Sequence, residues 1–279
     1  MKVNLKQILK IAETEKCAIG SFNTPNFESL CAVIEAAEEL NRPVIIMHAQ
    51  VHEEMKLAKL DVIGRVMIMA AERARVPVCV HLDHGTSLEY LKKALDLGFT
   101  SVMYDGSELD YEQNYKNTRI AVELASKYGA STEAEIGSMG SREGGESCDA
   151  ASMYTDPHAA QKFAADTGID ALACSFGTVH GIYFKEPKLD FERVNKIHSL
   201  LSVPMVMHGG SGISKEDYIK LIGLGIRKIN YYTYMAKAGG TAVCNMKDKQ
   251  FFHDIAVTAE EAMKQDIKRA IGIFSLLDK

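Results

Sequence analysis

The sequence predicts a single-domain (β/α)8 barrel with parallel strands. Eight short runs rich in β-branched residues alternate regularly with longer amphipathic stretches. Most of the short runs are apolar without alternating polar residues, which is typical of strands buried on both faces. The predicted strands lie near Ala18–Phe22, Pro43–Met47, Val78–Leu82, Ser101–Tyr104, Thr132–Ile136, Ala171–Ser175, Pro204–Met207 and Lys228–Tyr231.

The stretches between these runs have helical patterns. Phe27–Leu40 carries apolar residues at helical spacing, and Ser87 is a suitable N-cap for a helix that ends at Gly98. The segment of about 245–275 is also helical in pattern, and we expect it to close the barrel or to contact another subunit. The alternation therefore indicates one β-strand followed by one α-helix, repeated along the chain.

An open, doubly wound sheet is the alternative fold. That fold usually has fewer strands and a glycine-rich GxGxxG turn after the first one. Here the first strand leads into Ser-Phe-Asn-Thr-Pro-Asn instead, so the barrel is favoured. No domain boundary or low-complexity tract is evident over residues 1–279, which predicts a single domain. The Gly- and Ser-rich segment of about 137–152 interrupts the alternation, and we expect it to be a mobile loop.

Composition excludes several classes of function. The 279 residues are 47% hydrophobic with a formal net charge of −5, and no basic patch is evident, so no nucleic-acid partner is expected. No apolar run approaches 18 residues and the first residues do not resemble a signal peptide, so no membrane association is expected. The six cysteines are scattered without a CxxC pair, which is typical of free thiols in the cytoplasm.

Three histidines follow the ends of predicted strands. His84 lies just past the third strand, His180 follows the sixth, and His208 ends the seventh. The C-terminal ends of barrel strands converge at one mouth, and three imidazoles with an open position form a catalytic Zn²⁺ site. Each of these histidines precedes a glycine, which allows close backbone approach. His81 should point elsewhere, and a surface or hydrogen-bonded role is assigned to His52, His158, His198 and His253.

Acidic side chains recur at the same predicted mouth. Asp83 is a candidate general acid/base, although it could instead cap a helix or orient a zinc-bound histidine. Asp105 ends the fourth strand, while Glu133 and Glu135 lie on one side of the fifth. Buried carboxylates of this kind need a partner. They could therefore bind a cation or accept hydrogen bonds from metal-bound histidines.

Two loops have the position of a phosphate site. His208-Gly-Gly-Ser-Gly-Ile-Ser follows the seventh strand and precedes a helix, and Asn230-Tyr-Tyr-Thr follows the eighth. Loops after the last two strands of a barrel commonly bind phosphate through backbone N–H groups and a helix N-terminus. A tight turn without a ligand is the alternative interpretation of the glycines.

Five motifs together resemble the class II, zinc-dependent fructose-bisphosphate/tagatose-bisphosphate aldolases. The resemblance runs in matching order from about Asn4 to Phe274, and the short length and Asp-His-Gly variant are closer to the tagatose-bisphosphate branch. The motifs are Asp83-His84-Gly85, Tyr104-Asp105-Gly106-Ser107, Glu133-Ala-Glu-Ile-Gly, Gly177-Thr-Val-His180-Gly and His208-Gly-Gly-Ser-Gly-Ile.

The resemblance implies a carbon–carbon lyase of carbohydrate metabolism, such as glycolysis, that reversibly cleaves a phosphorylated ketose into dihydroxyacetone phosphate and an aldehyde. It implies zinc at His84, His180 and His208, with Asp105 and Glu135 as a second or alternative metal position. Na⁺ or K⁺ can support the phosphate site in this family, and homodimers or homotetramers are common. The implied substrate-binding residues are Asn23, Gly181, Gly209, Gly210, Ser211, Asn230, Tyr231, Tyr232 and Thr233.

The resemblance also implies roles for two acids. Asp83 would exchange the proton of the C4 hydroxyl during cleavage of the C3–C4 bond. Glu143, which on its residues alone indicates a solvated charge, would return a proton to the ketose-derived carbon. No Schiff-base lysine is required, and Lys228 lies too early in its strand for that role.

Some positions depart from the family pattern and could select the sugar. His48 follows the second strand, Arg142 stands in the Gly- and Ser-rich loop, and Tyr231 and Tyr232 lie beside the phosphate loops. Two other functions stay open. One is a zinc-dependent barrel hydrolase, although such enzymes commonly carry an HxH pair on the first strand. The other is a catalytically silent barrel protein.

Overall fold

The computed structural model describes residues 1–137, 154–183, 185–247 and 251–277, and within them eight parallel strands form a closed barrel. Neighbouring strands pair in chain order, and the last pairs with the first to close the ring. The barrel strands are β2 (Ile19–Asn23), β3 (Val44–Ala49), β4 (Val78–Gly85), β5 (Ser101–Tyr104), β6 (Ser131–Ile136), β7 (Ala171–Cys174), β8 (Met205–Met207) and β9 (Ile226–Tyr231). The predicted (β/α)8 barrel is confirmed. A further short strand, β1 (Lys2–Val3), pairs with the first residues of β4.

Helices follow the strands and form the outer layer. Ser87 caps its helix as predicted, because its side chain accepts a hydrogen bond from the backbone N–H of Tyr90. No helix in the part of the chain that the structure describes is long and apolar enough to span a membrane. The helices are α1 (Leu5–Glu15), α2 (Phe27–Glu39), α3 (Gln50–Glu54), α4 (Leu60–Arg73), α5 (Leu88–Asp96), α6 (Tyr111–Ser126), α7 (Pro157–Thr167), α8 (Phe191–Leu200), α9 (Lys215–Gly223), α10 (Thr233–Asn245) and α11 (Phe252–Phe274).

Helix α1 was not anticipated, and it closes the N-terminal end of the barrel. Its apolar residues Leu5, Ile8 and Leu9 are buried in one cluster with inward-facing residues of the strands, including Ile45 and Val206. Burial of this apolar surface stabilises the closed end by roughly 25 cal/mol per Å².

Helix α11 lies across the outside of the barrel, where it packs mainly against α2 and α10. The ring of Phe274 makes edge-to-face contacts with Tyr218 and Tyr231, at centroid distances of 4.9 and 6.0 Å. Its backbone carbonyl accepts a hydrogen bond from the N–H of Ala18. The helix therefore covers the outside of β9, next to the seam where the barrel closes.

Strand β4 is longer than predicted and is irregular at its end. Its pairing with β5 shifts register between Leu82 and Gly85, and His84 adopts a left-handed φ of 47°. A non-glycine residue in that region costs about 1–3 kcal/mol. The irregularity breaks the strict alternation of the strand. Asp83 and His84 consequently both reach the mouth of the barrel, although they are adjacent in sequence.

Candidate active site

The three predicted zinc ligands meet at the C-terminal mouth of the barrel. One nitrogen from each of His84, His180 and His208 lies within 4.8 Å of the others. The ring of His84 is 5.2 Å from that of His180 and 4.7 Å from that of His208, centroid to centroid. His208 is fully buried and His180 is exposed. Three imidazoles that converge in this way can hold one metal ion.

Two carboxylates determine which nitrogens are available. The Nδ1 atom of His84 lies 2.6 Å from Asp105, so its Nε2 atom faces the cluster with no hydrogen-bond partner in the described residues. The Nε2 atom of His208 lies 2.9 Å from Glu133, while its Nδ1 atom lies 3.2 Å from a carboxylate oxygen of Glu135 without the geometry of a hydrogen bond. Metal-binding histidines typically have such carboxylate partners, because these set the tautomer and orientation of the ring.

These donors fit Zn²⁺. Two buried imidazole nitrogens that make no hydrogen bond within the described residues, with the nitrogen of a third histidine, match the protein ligands of a catalytic zinc site, although one of them also lies 3.2 Å from Glu135. A second group of possible ligands, His84, Asp105 and Glu135, also has its atoms within 4.8 Å. It is the alternative position expected from the sequence. Asp105 already binds the ring of His84, so its position also suits the orienting role.

The carboxylates around the three histidines favour a bound cation. Burial alone would lower the pKa of His84, but the carboxylate of Asp83 and the hydrogen bond to Asp105 outweigh it and raise the pKa to about 10. The pKa of His180 shifts in the opposite direction. Although part of this side chain is exposed to solvent, the protein atoms packed around the ring and the neighbouring His84 lower its pKa to about 3. Without a metal, the proton on His84 balances the nearby acids. A divalent cation at the same place would displace that proton.

Asp83 is held in a defined orientation. Its two carboxylate oxygens accept hydrogen bonds from the side-chain amides of Asn23 and Asn230, each at 3.0 Å. Burial opposes its ionisation, but His84, His208 and the ammonium group of Lys228 outweigh that effect and hold the pKa of Asp83 well below its usual range. Asp83 is therefore an ionised carboxylate that lines the cavity and can accept a proton.

Lys228 links the residue that contacts His208 to the residue that contacts Asp83, and the sequence had not indicated this role. Its fully buried ammonium lies 2.9 Å from the carboxylate of Glu133 and donates a hydrogen bond to Asn230 at 2.7 Å. Glu133 orients His208, and Asn230 orients Asp83. The alternation of β9 places Lys228 and Asn230 on one face, which was the available sequence signal. Burial would raise the pKa of Glu133, but Lys228 and His208 lower it to about 2.

A cavity of about 590 Å³ opens above this cluster. The two loops predicted to bind phosphate form part of its wall. The residues from the predicted substrate site that line the cavity are Asn23, Gly181, Gly209, Gly210, Ser211, Asn230, Tyr231, Tyr232 and Thr233. The structure thus brings the three histidines, Asp83 and the two loops predicted to bind phosphate to one place.

The glycines of the first phosphate loop mainly permit close packing. Gly209 has a φ of 61°, and a Cβ atom there would lie 2.5 Å from the carbonyl oxygen of Val179. Glycine at this position therefore lets the loop that carries His180 pack against the loop after β8. The N–H of Gly210 is already bonded to the carbonyl of Asn230. That amide belongs to the scaffold of the loop.

The positions predicted to select the sugar have different surroundings. Tyr231 donates its hydroxyl hydrogen bond to Asp266 of α11, on the outside of the barrel. His48 is fully buried behind the cavity wall, and it is His52, read from the sequence as a residue without a special role, that lines the cavity. The short helix α3 begins after His48 and turns His52 inward. Arg142 and Glu143 lie outside the described residues.

The free energy of unfolding of the metal-free protein should fall as the pH drops from about 6.5 to 4. Burial lowers the pKa of His48 to about 4 and that of His81 to about 3, so the folded protein keeps both neutral where the unfolded chain is protonated. Because the unfolded state then binds more protons, each histidine lowers stability by up to about 1.4 kcal/mol per pH unit. His84, with its raised pKa, is protonated in the folded protein throughout this range and in the unfolded chain below about pH 5.5, so it adds little slope in the lower part of the range.

Urea denaturation in the presence of a chelator measures this dependence. In the His48→Gln variant, the slope of the free energy of unfolding against pH, measured between pH 6.5 and 4, should be smaller by the contribution of about one proton. His198→Gln, on the outer helix α8, is the matched control and should retain the full slope. An unchanged slope in the His48 variant would contradict the assignment of His48 as a buried neutral imidazole.

Comparisons with known proteins agree with this geometry. Residues 3–279 match the family model described as fructose-bisphosphate aldolase class-II. The Escherichia coli (strain K12) protein YdjI is 38% identical over 263 residues, covering 94% of each chain. The fructose-bisphosphate aldolase of Staphylococcus aureus (strain Mu50) is 37% identical over 277 residues, covering 98% of this chain and 96% of that one.

Solved structures agree as well. The crystal structure of the YdjI aldolase from Escherichia coli K12 superposes with a TM-score of 0.88 at 36% identity, covering 98% of this chain and 97% of that one. The family model and these similarities extend over nearly the whole chain. This protein therefore belongs to the class II fructose-bisphosphate aldolase family.

Proposed function

We propose that this protein is a zinc-dependent aldolase that reversibly cleaves a phosphorylated ketose into dihydroxyacetone phosphate and an aldehyde. The substrate is fructose or tagatose 1,6-bisphosphate or a related ketose phosphate. The observation that carries this proposal is that three elements lie together at one cavity. They are the cluster of three histidines, of which His84 and His180 line the cavity, the ionised Asp83, and the loops after β8 and β9.

In this proposal His84, His180 and His208 hold the metal. Zinc bound there supplies a Lewis acid that polarises the substrate carbonyl and stabilises the negative charge left by cleavage of the carbon–carbon bond. Asp105 and Glu133 orient two of the three rings through their hydrogen bonds.

Asp83 acts on the proton of the C4 hydroxyl. The amides of Asn23 and Asn230 occupy one lone pair on each of its oxygens and hold the carboxylate in place. Asp83 removes the hydroxyl proton as the C3–C4 bond breaks, and the hydroxyl oxygen becomes the carbonyl oxygen of the aldehyde. We assign the return of a proton to the ketose-derived carbon to Glu143, on the family resemblance.

The phosphate group binds between the loops after β8 and β9. Helix α10 begins at Thr233, and a helix N-terminus favours an anion. The proposal includes Na⁺ or K⁺ as a supporting ion at this subsite. A cytoplasmic location and a homodimeric or homotetrameric assembly stay predictions from composition and family.

Purified protein should cleave ketose phosphates when it contains zinc and lose this activity when a chelator removes the metal. A panel of ketose 1-phosphates and 1,6-bisphosphates, with dihydroxyacetone phosphate as the measured product, tests this expectation. Restored cleavage after zinc is added back is the control for damage by the chelator. Failure to cleave any member of the panel with zinc present would contradict the proposal, and would favour a hydrolase or a catalytically silent barrel.

A further inference from the structure

Part of the cavity wall is apolar, and the roles assigned so far do not use it. Val51, Met55, Leu57 and Leu109 line the cavity from the loops after β3 and β5, and they are 47%, 62%, 49% and 45% exposed. Exposed apolar side chains that cluster in a cavity beside a few polar groups are typical of a ligand site. This wall can therefore bind an apolar part of the substrate.

The charged residues on the cavity wall are acidic. Asp83, Asp105, Glu108 and Glu135 line it, and neither lysine nor arginine does so among the described residues. The loops after β8 and β9 provide the phosphate subsite for the ketose-derived half. A second phosphate on the aldehyde half would lie among carboxylates and apolar side chains. The wall suits an uncharged group better.

His52 adds a hydrogen-bond donor next to the apolar residues. Its Nδ1 atom accepts a hydrogen bond from the backbone N–H of Ala49 at 3.4 Å. Because Nδ1 is the acceptor, the proton of the neutral ring lies on Nε2. The ring lies 5.5 Å from that of Tyr232, which also lines the cavity. A neutral imidazole with one free donor suits a hydroxyl oxygen.

Helix α3, which carries Val51 and His52, is fixed at both ends. Gln50 accepts a hydrogen bond from the backbone N–H of Thr86 at 3.1 Å, and Glu53 accepts one from the hydroxyl of Tyr90 at 2.8 Å. Because Tyr90 gives its proton to Glu53, the ring of His48 donates to the oxygen of Tyr90 at 3.1 Å. Contacts of this kind hold a binding site in one conformation.

We propose that α3 and the turn to Leu57 form the subsite for the aldehyde half, and that this subsite selects an uncharged 2-hydroxyaldehyde with an apolar end over a phosphorylated aldehyde. The inference rests on the proposed function. In the condensation direction, the C3–H bond of dihydroxyacetone phosphate breaks and its proton passes to the acid/base assigned above to that carbon. The carbon then bonds to the aldehyde carbon, and the aldehyde oxygen takes the proton of Asp83, which acts here in the protonated form that cleavage leaves behind. The Nε2–H group of His52 binds the neighbouring hydroxyl, and the apolar end packs against Val51 and Met55.

The test compares kcat/KM for condensation of dihydroxyacetone phosphate with lactaldehyde, propanal and glyceraldehyde 3-phosphate on the zinc-loaded protein. Lactaldehyde should exceed glyceraldehyde 3-phosphate by about tenfold or more, the discrimination expected of an apolar pocket. Propanal, which lacks the hydroxyl group, should be poorer than lactaldehyde. The His52→Phe variant should abolish the difference between lactaldehyde and propanal.

Met55→Lys should lower kcat/KM for lactaldehyde about tenfold and raise it for glyceraldehyde 3-phosphate. The control is Met69→Lys, because Met69 is 51% exposed on α4 and does not line the cavity. Saturation transfer from the protein to the methyl group of lactaldehyde, measured by NMR, should be lost in the Met55 variant and retained in the control. This second measurement reports binding rather than turnover.

A preference of the unaltered protein for glyceraldehyde 3-phosphate would overturn the inference, as would identical behaviour of the Met55 and Met69 variants. Exchange of the C3 proton of dihydroxyacetone phosphate with solvent needs no aldehyde, so it tests the proposed function separately. Exchange together with a preference for the phosphorylated aldehyde would overturn the subsite and leave the aldolase proposal intact. Absence of exchange with zinc bound would overturn both.

Discussion

Replacing Asp83 with alanine should lower kcat for ketose phosphate cleavage about 1000-fold and leave zinc bound. A positioned general acid/base contributes roughly 10²- to 10⁴-fold to the rate. Asp83 belongs to neither group of convergent metal-binding atoms in the described residues, which are His84, His180 and His208, and His84, Asp105 and Glu135, so its carboxylate is not needed to hold the three imidazoles together. Steady-state kinetics and the zinc content of the purified variant provide the two measurements.

Proton exchange at C3 of dihydroxyacetone phosphate sharpens this test. The exchange does not involve the C4 hydroxyl group, so the Asp83 variant should retain it while losing cleavage. Asp96→Ala is the matched control, because Asp96 is exposed at the end of α5 and does not line the cavity. Retained cleavage in the Asp83 variant, or loss of its zinc, would contradict the role assigned to this carboxylate.

Replacing Lys228 with methionine should have a comparably large effect, on stability as well as on activity. The ammonium group is the fully buried partner of the fully buried Glu133, and breaking such a pair typically costs about 3–5 kcal/mol. The same change removes the donor that holds Asn230, which in turn holds Asp83. Urea denaturation should therefore show a lower free energy of unfolding, and kcat should fall.

The double variant Lys228→Met/Glu133→Gln separates the two effects. Removing the unpaired carboxylate should recover much of the stability, because no buried charge is left without a partner. Activity should stay low, since Asn230 still lacks its donor. Lys92→Met, at an exposed pair with Asp96, is the control and should leave both stability and activity nearly unchanged. Recovery of full activity in the double variant would exclude a positioning role for Lys228.

Lys228 also allows a test against Schiff-base chemistry. Its ammonium is bonded to Glu133 and Asn230 and does not line the cavity. Borohydride added with dihydroxyacetone phosphate should therefore leave the activity of the zinc-loaded protein unchanged. A reduced covalent adduct at Lys228, detected by mass spectrometry, would contradict the proposed metal-dependent mechanism.

Much of the fold was predictable, because strands buried on both faces leave a strong local signal. Runs such as Val78–Leu82 and Ala171–Ser175 are mostly apolar and show no regular polar alternation, and the structure places strands at both. Helix α1 was missed because a helix before the first barrel strand is not part of the β/α repeat. The extension of β4 to Gly85 was missed because its irregular end depends on pairing with β5.

The sequence was enough to predict which residues meet at the candidate site, but not which hydrogen bonds join them. Residues at the C-terminal ends of parallel strands must meet at one mouth, so the positions of His84, His180 and His208 in the sequence were enough to bring them together. Which nitrogen of each ring is available depends on Asp105 and Glu133, which lie on other strands. Such partners are chosen by contacts across the barrel and leave no local pattern.

By itself, the sequence determined the barrel, the three converging histidines and the acid beside the first of them, because strand burial and strand ends are local properties. Only the tertiary structure decided that Lys228 joins Glu133 to Asn230, and that His52 rather than His48 lines the cavity. The first depends on packing across the closed barrel, where a buried charge must find its partner. The second depends on where α3 begins, because the start of this helix leaves His48 buried behind the cavity wall and directs His52 toward the cavity.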